Sequence, residues 1–102
     1  MISAPVARST RLAERDGIRS HGLMYLPVYT EHLRCGKVLS DAAPLVSHPR
    51  PGVLRVDAAH GFAHAGIDAG WPEFVAAIRD QGVAAMALHR SCNCGVLGHH
   101  AD

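Results

Sequence analysis

Long apolar runs are missing from this chain, and so is any block of basic charge. No stretch approaches the roughly 20 consecutive apolar residues that a bilayer-crossing helix needs. Met1-Ile2-Ser3-Ala4-Pro5 has neither the charged nor the apolar region of a secretion signal. A cytoplasmic protein with no membrane partner is therefore expected. Lysines and arginines are scattered from Arg8 to Arg90, and the formal net charge is +1, which argues against a nucleic-acid partner. Cysteine is scarce: Cys35, Cys92 and Cys94 are an odd set with one close pair. That is no disulfide framework, and reduced thiols fit it better. Internal repeats, coiled-coil heptads and low-complexity segments are absent as well.

What is present suits one small domain. The 102 residues can bury a modest core, and 48% apolar against 19% charged residues excludes a disordered tail. Ser3 is a candidate cap for a first helix that runs to about Asp16 and stops at Gly17, with Val6, Leu12 and Ala13 as a thin apolar face. Ser20 is a second candidate cap, followed by Leu23, Leu26, Tyr29 and Leu33 at helical spacing and a stop at Gly36. Pro27 must either bend that helix or begin it. Residues 39–52, with Pro44, Pro49 and Pro51, read as irregular. Val53–Asp57 reads as a strand, Phe62–Gln81 as a helix kinked or restarted at Pro72, and Val83–Leu88 as a buried strand. A turn-rich segment, His89 to Gly98, follows, and the last residues are expected to begin another helix. Strand, helix and strand form a potential right-handed β-α-β crossover. Two strands make a poor sheet, so further strands are expected from other sequence.

The stretch RDGIRSHGLMYLP places an imidazole beside a hydroxyl. In one reading Ser20 merely caps a helix and His21 sits half-exposed in its first turn. In the other, the helix N-terminus disfavours imidazolium, and His21 exchanges a proton with substrate near neutral pH while Ser20 orients it. The two readings share one geometry. A rival constellation is His89, Cys92, Cys94, His99 and His100, ligand types that zinc favours, although Cys-x-Cys-x4-His-His lacks the usual zinc spacing. A small His/Cys metal-binding module is thus an alternative, with adventitious nickel or zinc binding the blander form of it. Trp71 and Phe74 read as core or subunit contacts, His60 and His64 as a solvated face, and Asp57 as a strand-end residue.

AERDGIRSHGLMYLPVYTEHLRCGKV resembles the N-terminal region of the malate/L-lactate dehydrogenase-type NAD(P)-dependent oxidoreductases. VLRVDAAHGFAHAGIDAG and GVAAMALHRSCNCGVLGHHAD continue the likeness in order and at the right spacing, and RVDAAHGFA leans toward the Δ1-piperideine-2-carboxylate/Δ1-pyrroline-2-carboxylate reductase branch. The resemblance implies an α/β fold that is not a Rossmann domain: N-terminal helices, then a β-α-β unit, as an incomplete part of the family fold. It implies a single partial domain over residues 1–102, helical in 1–36, with the β-α-β and cofactor loop in 53–102.

It also implies roles. Ser20 and His21 fall on the catalytic Ser-His pair, Asn93-Cys94-Gly95-Val96-Leu97 on the first segment that contacts NADP or NAD, and Tyr25 on a position facing substrate. The substrate class is a small 2-oxo acid or cyclic 2-imino acid, and the expected association is a homodimer or a complementary chain. Three departures accompany the likeness. Tyr25 stands where the reductases carry a carboxylate-gripping arginine. Asn93 and Cys94 replace a histidine and an aromatic. The chain spans about the first third of the usual family length and begins after the family's first helix. A truncated, non-catalytic remnant of the family is the second expectation.

Overall fold

The computed structural model describes residues 4–101. Helix α1 spans Ala4–Arg15, α2 Leu26–Arg34 and α3 Ala63–Gln81; strands β1, β2 and β3 span Leu45–Arg50, Val53–Asp57 and Ala85–His89. The sheet order is β1-β2-β3, with β1 antiparallel to β2 and β2 parallel to β3. This is the mixed α/β architecture expected, with α3 as the crossover between parallel neighbours. No helix among the described residues is long and apolar enough to cross a membrane.

Packing follows from small residues on one face of α3. Gly66 and Gly70, one turn apart, let the helix sit directly on the sheet. A Cβ built at Gly66 would lie 2.8 Å from Leu88 Cδ1, and one at Gly70 would lie 2.8 Å from both Met86 Sδ and Val56 Cγ2. Beneath them Leu54, Val56 and Ala58 are fully buried. A second apolar cluster joins the helices: Val6 of α1, Tyr29 of α2, Val38 and Phe62. The opposite face of the sheet, with Ser47, Arg55, Ala85 and Ala87, is exposed.

Several expectations are corrected. The segment before Gly52 is not wholly irregular, because Leu45–Arg50 pairs as an edge strand. Pro49 masked it, yet an edge strand tolerates proline where no partner needs its N–H, and the register shifts between Ser47 and Arg50. The sheet accordingly has three strands rather than two. α3 runs unbroken through Pro72, pressed on the sheet at Gly66 and Gly70 just before it, and ends at Gly82 with φ 80°. β3 begins at Ala85, two residues later than expected, and it is not a buried strand: Ala85 and Ala87 are exposed because α3 covers only one face of the sheet. Trp71 is 41% exposed and pairs with Phe74, ring centroids 5.8 Å apart, so it is no core residue. The described residues end in a 3-10 turn, Leu97–His100. The cap expected at Ser3 lies outside the described residues.

The close helix-sheet approach yields a direct test. Gly70→Val forces a branched side chain against Val56 and should destabilise the chain by about 1–3 kcal/mol, read from urea midpoints. Gly82→Ala, which meets no neighbour but carries positive φ, should cost less than Gly70→Val.

Candidate active site

Ser20 and His21 do not open an α-helix. They occupy a 3-10 turn, Arg19–His21, separated by Gly22 from a second 3-10 turn, Leu23–Tyr25, and α2 begins only at Leu26 with Pro27 in its first turn. The expectation that Ser20 caps a helix and that its dipole acts on His21 is therefore corrected. The cause is Glu14: its Oε1 accepts the Leu23 N–H at 2.7 Å and takes the space beside residue 22. A Cβ on Gly22 would fall 2.0 Å from that oxygen, so a side chain there would have to push the Glu14 carboxylate off the Leu23 N–H. The turn leaves Ser20 exposed and His21 half-buried, with Ser20 Oγ 2.9 Å from His21 Nδ1. The ring is not sealed in hydrocarbon, and its Nε2 makes no hydrogen bond among the described residues.

A second group of residues gathers at the carboxyl ends of the parallel strands, where open α/β sheets place ligand crevices. Beyond β2 and β3 the chain keeps pairing: Ala58 N–H donates to His89 O at 3.0 Å, His60 N–H to Arg90 O at 2.8 Å, and Cys92 N–H to Gly61 O at 3.0 Å. Asp57 ties the two strand ends together. It accepts from Arg90 Nε at 2.8 Å and Nη2 at 2.5 Å, and from the Ala59 N–H at 2.9 Å. The Arg90 guanidinium and that amide hold its carboxyl well below the usual range. Ala59, His60, Arg90 and Asn93 all carry positive φ without being glycine. Such strain concentrates at functional sites.

The 93–97 segment is an ordered turn. Asn93 Oδ1 accepts the Gly95 N–H at 2.7 Å and the Tyr29 phenol at 3.3 Å. Tyr29 is 2% exposed, and its ring packs edge-on against Tyr25 at 4.9 Å and Phe62 at 5.2 Å. Burial pushes its hydroxyl up to about 12, so it remains a donor at any physiological pH. Through Tyr29, the candidate substrate residue Tyr25 and the candidate cofactor loop are mechanically one unit. No hydrogen bond among the described residues links His21 to that unit. The helical spacing marked Tyr29 as core without revealing its second role. A buried tyrosine's need for a hydroxyl partner, with Asn93 in a distant turn, is the signal that could have found it.

The backbone N–H groups of Cys94 and Val96 have no acceptor among the described residues. A turn with free amides and a glycine at φ 68° suits the approach of an anionic dinucleotide, so the loop fits such a group. The rival cluster does not converge: no group of three His, Cys, Asp or Glu side chains among the described residues is arranged to hold a metal.

His64, read as solvated, is instead buried at 3% exposure, and neither ring nitrogen has a partner. Burial, with the neighbouring charge of His100, pushes it down to about 4. An unfolded histidine titrates near 6.5, so below that pH the unfolded chain gains a proton that the folded chain refuses. Stability should be full above pH 6.5 and fall by up to roughly 3 kcal/mol on acidification to pH 4. Urea midpoints at pH 7.5, 5.5 and 4 check this, and His64→Gln should flatten that part of the profile.

Comparison with known proteins adds a family to this geometry. The family model described as malate/L-lactate dehydrogenase matches residues 2–102. A Δ1-pyrroline-2-carboxylate reductase of Ancylobacter novellus is 44% identical over 84 residues, covering 82% of this chain and 25% of that protein. An NADP+-dependent (2R)-3-sulfolactate dehydrogenase of Chromohalobacter salexigens is 42% identical over 92 residues, covering 90% and 27%. The crystal structure of Δ1-piperideine-2-carboxylate reductase from Pseudomonas syringae superposes with a TM-score of 0.90 at 33% identity, covering 93% of this chain and 29% of that one. The chain thus spans between 25% and 29% of the lengths of these relatives.

Proposed function

The chain belongs to the malate/L-lactate dehydrogenase family, and we propose that it supplies the proton-transfer pair and first cofactor loop of an NAD(P)-dependent oxidoreductase. The substrate would be a cyclic 2-imino acid or a 2-oxo acid. The single observation that carries this reading is the Ser20–His21 contact at 2.9 Å on a turn that Glu14 fixes.

Reducing C=N or C=O needs a hydride at carbon and a proton at the heteroatom. A bound nicotinamide supplies the hydride. The proton falls to the protein. Ser20 Oγ engages His21 Nδ1 and so directs Nε2 outward as the atom that meets substrate. In reduction, imidazolium Nε2–H gives its proton to the product nitrogen or oxygen, while Nδ1 keeps its proton and donates it in a hydrogen bond to Ser20 Oγ. In the reverse direction neutral Nε2 accepts it. Tyr25, stacked on Tyr29, offers one phenolic hydrogen bond to the substrate carboxylate in place of a charged fork. Residues 93–97 would lie along the dinucleotide, Cys94 and Val96 presenting their free amides. The rest of the cofactor's enclosure, and a dimer or complementary chain, would come from other polypeptide.

The 102-residue chain and the full product of its reading frame should be assayed side by side for NADPH oxidation with Δ1-pyrroline-2-carboxylate, Δ1-piperideine-2-carboxylate and pyruvate. In whichever form turns over, His21→Ala should lower kcat by about 100-fold or more, with Cys92→Ala active. Ser20→Ala should reshape the pH profile rather than abolish the rate. Undiminished turnover in His21→Ala would refute the assignment, as would inactivity of both forms toward all three substrates. Tyr25→Arg should lower KM for the imino carboxylates by about tenfold.

A further inference from the structure

A cavity of about 280 Å3 lies between α1, α3 and the closing turn, lined by neither Ser20 nor His21. Its polar wall is Arg8, Ser9, His64, Asp68, His99 and His100. His64 presents a buried imidazole with both nitrogens unpartnered, and His99 Nδ1 is likewise buried and unpartnered. Leaving such atoms without a partner is costly, so the wall is suited to something polar.

The hydrogen bonds already made fix what that partner must be. His99 Nε2 lies 2.9 Å from Asp16 Oδ2, and His100 Nε2 lies 2.6 Å from the Cys94 carbonyl oxygen. Both oxygens are acceptors, so each Nε2 carries the proton and each Nδ1 is the atom still available. The carboxylates are compensated: Arg8 binds Asp68 at 2.6 Å, and Arg15 binds Asp16 at 2.6 Å. The only charge this wall can gain is positive, on its three imidazoles. The cofactor-loop backbone presses on the same side chains, because a Cβ at Gly95 would lie 2.6 Å from Ser9 Oγ and 2.8 Å from His64 Nε2.

We propose that this cavity is a binding site for a tetrahedral oxyanion of the phosphate class, held by His64, His99 and His100 with the Ser9 hydroxyl, and with the Arg8–Asp68 pair at its edge. The group could be free phosphate or the phosphate of a nucleotide. The site shares no residue with the proposed proton-transfer pair, so either reading can fail without the other.

The proton balance follows. His64 is held neutral by burial, and then by the charge of His100 and Arg8, against Asp68. Tyr29, packed against His64 from α2, stays uncharged. A bound dianion reverses the penalty on imidazolium. Binding therefore takes up protons and weakens as pH rises.

The histidine C2–H NMR signals of the chain, titrated with sodium sulfate (a dianion throughout this range), inorganic phosphate, NADP+ or sodium chloride at matched ionic strength, test the proposal at pH 5.5 and 7.5. Saturable shifts of His64, His99 and His100 are expected with sulfate and phosphate but not chloride, and sulfate affinity should be about tenfold or more weaker at pH 7.5. His64→Gln should abolish saturation. Ser9→Ala, a milder change on α1, should weaken sulfate by about tenfold. Saturation by NADP+ well below the phosphate concentration would assign the oxyanion to a nucleotide, and the reverse order to free phosphate. Shifts reproduced by chloride, sulfate affinity independent of pH, an unaltered Ser9→Ala titration, or a response to Zn2+ without one to sulfate would each overturn it.

Discussion

One buried phenol holds the functional end of this molecule together. Tyr29 sits where α2, the start of α3 and the loop after β3 meet, and among the described residues its hydroxyl has a single partner, Asn93 Oδ1. A buried hydroxyl without a partner is costly, so the tyrosine and the loop constrain each other. Asn93 accepts from Gly95 as well, which makes the turn of the 93–97 segment depend on an atom in α2, 64 residues earlier in the chain. The edge-on stack of Tyr25 on Tyr29 then carries this constraint into the turn beside His21. Loss of the phenolic oxygen would leave the fold's apolar packing largely in place. It would free the loop.

The strained backbone at the strand ends has the same logic. Four non-glycine residues with positive φ would each cost on the order of 1 kcal/mol or more in isolation. They persist because the parallel ladder runs on past β2 and β3 through Ala58, His60 and Cys92, and because Asp57 grips Arg90 with two hydrogen bonds. The ion pair is partly exposed, so its worth lies less in stability than in fixing where one loop ends and the next begins. The strain is spent on aiming two loops at one crevice.

How much of this was legible in the residues differs by element. β2 announced itself through Val53, Leu54 and Val56, and α3 through its apolar stripe, because each buries one face and needs nothing distant to explain it. β1 was hidden because Pro49 forbids a central strand and says little against an edge. Pro72 suggested a break, but the sheet grips α3 at Gly66 and Gly70, on the near side of the proline, and propensity yields to packing there. His64 shows the opposite failure. Its spacing from His60 implied a shared exposed face, yet α3 starts at Ala63, so only one of the two lies on the helix, and Gly95 and Tyr29 close over it. The Ser20–His21 contact was legible as a pair of neighbours, whereas its setting depended on Glu14, which pattern alone could not place.

That setting changes the chemistry expected of the pair. At a helix N-terminus, the dipole would act on the imidazole whether or not substrate was bound. In the 3-10 turn found here the dipole is gone, and the groups that govern His21 are the Ser20 hydroxyl and whatever faces Nε2. A substrate carboxylate nearby would favour imidazolium, the form able to donate, and a neutral or cationic neighbour would disfavour it. Under the proposed function, substrate charge would thereby become part of the proton-transfer device rather than only a handle for binding. In that reading a tyrosine at position 25 fits the division of labour, because a fixed guanidinium at the same place would compete with His21 for the carboxylate's charge.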